Sequence, residues 1–134
     1  MKRTKLFCMV VLMTAATMAF MSCSKENKIE GKWKIVYAST EFSDDKGETW
    51  TFKENKSWSG AIDGLIVDGD WSISKDELTI DVSGQDAGYT YRLTGEFSID
   101  ELTGRELSLS GKWTIKWSDG QKNTWSGNYE FEKK

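Results

Sequence analysis

The chain has 134 residues, seven tryptophans, four tyrosines, six phenylalanines, two cysteines, no proline and no histidine, at a net charge of −3. That length suits one domain. Without histidine, Ser-His and Cys-His catalytic pairs are excluded, and an acidic chain is a poor match to the phosphates of nucleic acid.

Lys2, Arg3 and Lys5 form a basic start, Leu6 to Phe20 is an uncharged and mostly apolar run, and Met21-Ser22-Cys23 follows. The run is short for a membrane span and suits a secretory signal. Met21-Ser22-Cys23-Ser24 resembles the cleavage site of bacterial lipoproteins. The resemblance implies a signal peptide at 1–22, removed to leave Cys23 acylated on its sulfur and on its new amine. Several acyl chains on one residue anchor a protein stably. A plain signal peptide cut elsewhere is the alternative.

By the same resemblance Ser24, not being Asp, favours the outer membrane of a Gram-negative cell, at its periplasmic face or at the cell surface. Residues 23–30 then form the lipidated cysteine and a short polar tether. The 112 residues after the signal carry 15 Lys plus Arg against 21 Asp plus Glu, a net charge of −6. Cys8 leaves with the signal and lipid caps Cys23, so no thiol, disulfide or usual zinc ligand set remains.

From Lys28 onward the chain alternates apolar and polar residues and shows no sustained 3.6-residue period. Eight strands are predicted at about 32–40, 48–54, 57–61, 66–74, 77–83, 88–100, 105–117 and 121–132. Turn signals separate them at Ser43 to Gly47, Asn55-Lys56, Asp63-Gly64, Lys75-Asp76 and Gly84 to Gly88. Loops this short make neighbours antiparallel. The expectation for residues 31–134 is an all-β, eight-stranded, up-and-down barrel without significant helix, closed so that no edge is left unpaired. An open sandwich is the alternative.

A seven-residue phrase recurs every 16 positions, at Leu93–Ile99, Leu109–Ile115 and Trp125–Phe131, each with glycine at its centre. Leu102-Thr103-Gly104 and Ser118-Asp119-Gly120 read as three-residue hairpin loops with glycine in the left-handed position. With Glu101 facing Arg105, and Trp117 facing Gln121, Gly95, Gly111 and Gly127 fall in one row across three strands, a proposed barrel corner. That register pairs Leu93 with Trp113, Thr94 with Lys112, Trp113 with Trp125 and Leu109 with Tyr129. Parity sends 23 side chains inward, about half of them aromatic, which leaves little free volume.

Gly31-Lys32-Trp33 at the start of the first strand resembles the G-x-W signature of lipocalins and of the shorter lipocalin-like domains of bacterial lipoproteins. The resemblance implies that Trp33 plugs the closed end of the barrel. Lipocalins usually lay an Arg of the last strand over that tryptophan; here only Lys133 and Lys134 are on offer. With both termini at the closed end, the open end receives the loops near 41–47, 62–65, 84–88 and 118–120. Tyr37, Trp50, Tyr89, Tyr91 and Trp117 are the inward residues expected nearest this mouth, with Ile62, Leu65 and Ile66 as an apolar lid.

The chemistry is that of binding rather than catalysis. Ser72-Ile73-Ser74-Lys75 has the letters S-x-x-K but ends a strand and lacks the companion motifs. No carboxylate pair falls at inward parity, as a glycosidase would need. Asp44, Asp45 and Glu48, or Asp63, Asp68 and Asp70, read as solvated turns rather than calcium loops. No catalytic residue, metal or cofactor is expected. The leading expectation is a monomeric, lipid-anchored envelope module that binds a small apolar or aromatic ligand at the mouth. The alternatives are a glycan-binding surface lipoprotein, with Trp58 as its exposed platform, and a protein-interaction or inhibitor domain with a filled core.

Overall fold

The computed structural model describes residues 25–26 and 28–134. Cys23 and the signal segment lie outside the described residues. Eight antiparallel strands follow one another around a closed barrel: β1 Gly31–Ala38, β2 Thr49–Phe52, β3 Ser57–Ile62, β4 Leu65–Ser74, β5 Glu77–Asp86, β6 Tyr89–Leu102, β7 Glu106–Trp117 and β8 Lys122–Lys133. Each pairs with its chain neighbour, and β1 closes the ring against β8. A 3-10 helix, Thr40–Asp45, interrupts the β1–β2 connection. Alternating patterning and tight turns account for this topology, as expected.

The β7–β8 register is the one the glycine loop demands. Gly111 faces Gly127, Trp113 faces Trp125 and Leu109 faces Tyr129. Gly120 takes φ 95° in the turn, where a side chain would be strained. The β6–β7 register is displaced by two residues from expectation. Thr103 N–H donates to Glu106 C=O at 2.8 Å, and Thr103 Oγ1 accepts from the Arg105 and Glu106 amides. This makes a longer turn between Leu102 and Leu107, preceded by a bulge between Ile99 and Glu101.

The glycine row is therefore broken. Gly95 lies opposite Trp113, Gly111 opposite Phe97, and Leu93 opposite Ile115. Thr94 faces Thr114, so it is Glu96 that meets Lys112. An even slip preserves facing, so inward residues stay inward. Close approach explains two of these glycines. A Cβ at Gly111 would stand 2.0 Å from the Glu96 carbonyl oxygen, and one at Gly95 would meet the Trp113 ring at 2.7 Å.

The barrel interior is filled. Trp33, Trp50, Trp58, Trp113, Tyr129, Phe42, Phe52, Phe97 and Phe131 are all essentially inaccessible. Trp50 is the hub, with ring centroids 4.9 Å from Tyr129 and Phe131, 5.2 Å from Trp58 and 5.8 Å from Trp113. Most of these pairs are edge-on or tilted, the arrangement that ring quadrupoles prefer.

At the closed end Trp33 Nε1 donates to the Ile29 carbonyl at 2.7 Å. The Lys133 ammonium sits 4.5 Å from the centre of a Trp33 ring and donates to the Lys28 and Glu30 carbonyls. Lys133 thus lies over Trp33, where the lipocalin resemblance calls for an arginine.

Candidate binding site at the open rim

The β1–β2 connection was expected to be a solvated turn over the mouth; it folds into the mouth instead. Phe42 of the 3-10 helix stacks on Tyr129 at 4.3 Å and 15° and meets Phe97 edge-on at 6.4 Å. Beneath it, a Cβ at Gly127 would come within 3.2 Å of the Phe42 ring.

A buried polar chain pins this plug. Trp113 Nε1 donates to Tyr129 Oη at 2.9 Å, Tyr129 Oη donates to Asp45 Oδ2 at 2.6 Å, and Asp45 Oδ1 accepts the Asp63 amide at 2.7 Å. Asp45 is only 2% exposed. Burial pushes its carboxyl above the usual range, opposed by the Tyr129 and Asp63 hydrogen bonds. Burial first, then the Asp45 charge, push the Tyr129 phenol far above its ordinary value, so the hydroxyl stays a donor. Trp50 Nε1 and Trp58 Nε1 are buried without a hydrogen-bond partner among the described residues.

The residues expected at the mouth divide into three groups. Trp50 and Ile62 are core residues. Trp50 has the inward facing expected of it, but four-residue β2 sets it level with Trp33, deep in the barrel. Tyr37 is 46% exposed, because the register between β1 and β8 shifts between Ile35 and Tyr37 and brings Tyr37 opposite outward Glu130. Leu65 is also exposed, and Ile66 reaches 85%, so they do not close as a lid.

Tyr91 and Trp117 do come together, with rings 5.2 Å apart across β6 and β7, and Tyr89 projects beyond them at 48% exposure. Trp58, expected as an exposed glycan platform, is 1% exposed and packs on Trp50, which overturns that version of glycan binding.

Two clefts meet at Trp117. One, of about 670 Å³, has Ile115, Trp117, Asn123 and Trp125 along one side, with Glu41 and Asp63 at the plug. The other, of about 520 Å³, runs from Gly84 and Tyr91 past Arg92 and Lys116 to Trp117. They exist because β5 to β8 run for 10 to 14 residues while β2 and β3 have only four and six. At the first cleft the inner faces of the longer strands outrun the plug that would cover them, whereas the second also takes in the outward Arg92 and Lys116. Among the described residues, no three or more Asp, Glu, Cys or His side chains gather as a metal site requires.

No protein-family model, curated protein or solved structure matches this chain significantly.

Phe42, Asp45, Glu41 and Trp125 were missed as parts of the mouth. Phe42 carried a signal, as the one large apolar residue in Thr40–Asp45. Asp45 carried none, since nothing local distinguishes it from Asp44.

Proposed function

We propose that this protein is a lipid-anchored interaction module of the cell envelope, with no catalytic step, that meets its partner at the open rim of a filled, lipocalin-like barrel. The observation that carries this reading is the contrast between the two ends of the aromatic set. Nine large side chains fill the interior, while Tyr91, Trp117 and Trp125 remain partly uncovered at the rim. A carrier of small apolar molecules needs interior volume, and rings packed at 4.3–6.4 Å occupy it here.

The tether leads into β1 at the closed end, beside Lys133. Acylation of Cys23 would therefore hold the closed end toward the outer membrane and direct the rim away from it, on the periplasmic face or at the cell surface. A second reading rests on the cleft of about 670 Å³, which is within the size range of small-ligand sites. It is a small ring-bearing ligand or sugar stacked on Trp117 at the rim, outside the barrel.

Photo-crosslinking in cells separates these readings. A photoreactive residue at Asn123 or Gln121 is expected to give a protein adduct, and one at Arg105 or Thr103 is not. Adducts only from the closed end contradict the rim reading. A rim that captures no protein, but whose Trp117 fluorescence responds to a small ligand, favours the second reading. Radiolabelled palmitate incorporated into the wild type and lost in Cys23→Ser checks the anchor.

A further inference from the structure

The barrel is closed at its waist but not at its rim. β1 pairs with β8 from Trp33↔Lys133 to Ala38↔Tyr129, and then Ser39 N–H donates to the Asn128 carbonyl while Ser39 Oγ accepts the Asn128 amide. There the chain turns into the 3-10 helix that plugs the mouth. β8 continues for six residues beyond that point, Lys122 to Gly127, paired among the described residues with β7 alone. Residues of an antiparallel strand address their two neighbours alternately. Asn128 addresses the β1 side, and Gln121 C=O accepts the Trp117 amide on the β7 side. By parity the N–H and C=O groups of Ser126 and Thr124 point to the side that no strand occupies among the described residues. An open edge of this kind is a template for another strand.

We infer that the Lys122–Gly127 edge of β8 is a strand-addition site for an extended polypeptide segment that alternates apolar and acidic residues. This rests on the rim reading above and names the partner's chemistry. Alternation follows from the two faces of the edge. Its inner face presents Trp125 and Asn123 to the cleft of about 670 Å³, with Ile115 and Trp117 behind them, so inward side chains of the added strand meet partly covered rings. Its outer face ends a cross-strand row of cations, Arg92↔Lys116↔Lys122. Arg92 is paired with Asp81 at 3.1 Å, but Lys116 and Lys122 have no ion pair among the described residues. Like charges directly opposite repel, and an acidic residue on the next strand would relieve them.

Main-chain bonds would supply affinity and the two faces specificity, as in other strand-addition complexes. A second copy fits less well. Six edge residues against six fall short of the ~1,200 Å² that a stable pair buries, whereas a peptide side chain also enters the cleft.

The test uses the lipidated chain in detergent micelles and a capped eight-residue peptide alternating valine and glutamate. Amides of Thr124 and Ser126 are expected to exchange rapidly in the free chain and at least tenfold more slowly with the peptide. N-methylation of alternate peptide residues, or lysine in place of glutamate, is expected to weaken binding at least tenfold. Thr124→Pro removes an edge donor without touching the β7 ladder and is expected to abolish binding. Should that variant misfold, Lys122→Glu is expected to reverse the preference between the glutamate and lysine peptides.

Failure of the glutamate peptide to bind overturns the inference. So does binding that survives both N-methylation and edge substitution, or slow exchange of these amides in the free chain, whether by self-association or another cover. If rim crosslinks persist in any of those cases, the rim reading stands and strand addition alone falls. If the rim crosslinks nothing, the reading beneath it falls as well.

Discussion

Tyr129→Phe removes one oxygen and disconnects the plug. That oxygen donates to the buried Asp45 carboxylate at 2.6 Å and accepts the Trp113 indole N–H at 2.9 Å. A hydrogen bond to a charged group contributes ~1.5–3 kcal/mol, and a stranded buried donor costs ~1–3 kcal/mol. The expected loss at pH 8 is about 3–4 kcal/mol, with Asp45 still held by the Asp63 amide. The loss also depends on pH. Burial raises the Asp45 carboxyl in the fold, and the Tyr129 hydrogen bond restrains that rise. Such a group favours the fold most when protonated, and that stability is lost as pH climbs from the unfolded value of ~4 through the folded one. Without the hydroxyl the folded value climbs further, so the variant loses stability over a wider window than the wild type. Its deficit should therefore grow from acid to alkaline pH. Urea unfolding of both proteins at pH 4.5 and 8 measures this. A deficit below about 1 kcal/mol at pH 8, or one equal at both pH values, would refute the reasoning.

Asp45→Asn removes the buried charge but leaves a single amide oxygen, which can replace only one of the two carboxylate oxygens that accept the Tyr129 hydroxyl and the Asp63 amide, so urea midpoints should vary less across pH 4.5–8 than in the wild type. Phe42→Ala empties the mouth, with an expected loss of ~3–5 kcal/mol and increased binding of a hydrophobic dye at the rim. Gly111→Ala should prevent folding or cost several kcal/mol, because a Cβ there meets the Glu96 carbonyl. Gly104→Ala, with open space around the same atom, should stay within about 0.5 kcal/mol of wild type by thermal melt. Lys133→Met should cost ~1–2 kcal/mol by losing the Trp33 cation–π contact and two carbonyl contacts, and should speed amide exchange at Glu30.

Strand order and facing were legible in the chain because period-two patterning reports which side of a sheet is buried, and a slip of two residues leaves it intact. The β7–β8 register was legible because Gly120 specifies its turn. The β6–β7 register was not, since whether Thr103 caps its neighbours depends on hydrogen bonds formed only once the strands meet. Tyr37 escaped for a related reason: one irregular residue near Val36 reverses facing without any glycine or proline to mark it. The site was the least legible part. Trp50 has the right facing at the wrong height, because height depends on how far each strand runs. The plug depends on a polar loop whose Asp45 is buried only after Tyr129 and Asp63 surround it.

Exchange of the seven tryptophan indole protons with solvent tests the filled barrel most directly. Trp33, Trp50, Trp58, Trp71 and Trp113 are buried, whereas Trp117 and Trp125 line the rim. Five slow indoles and two fast ones are expected. Trp50 and Trp58 decide the matter, because neither indole N–H has a hydrogen bond among the described residues and packing protects it. Exchange at either one as fast as at Trp117 would mean that water reaches the interior, and the barrel would be a vessel after all.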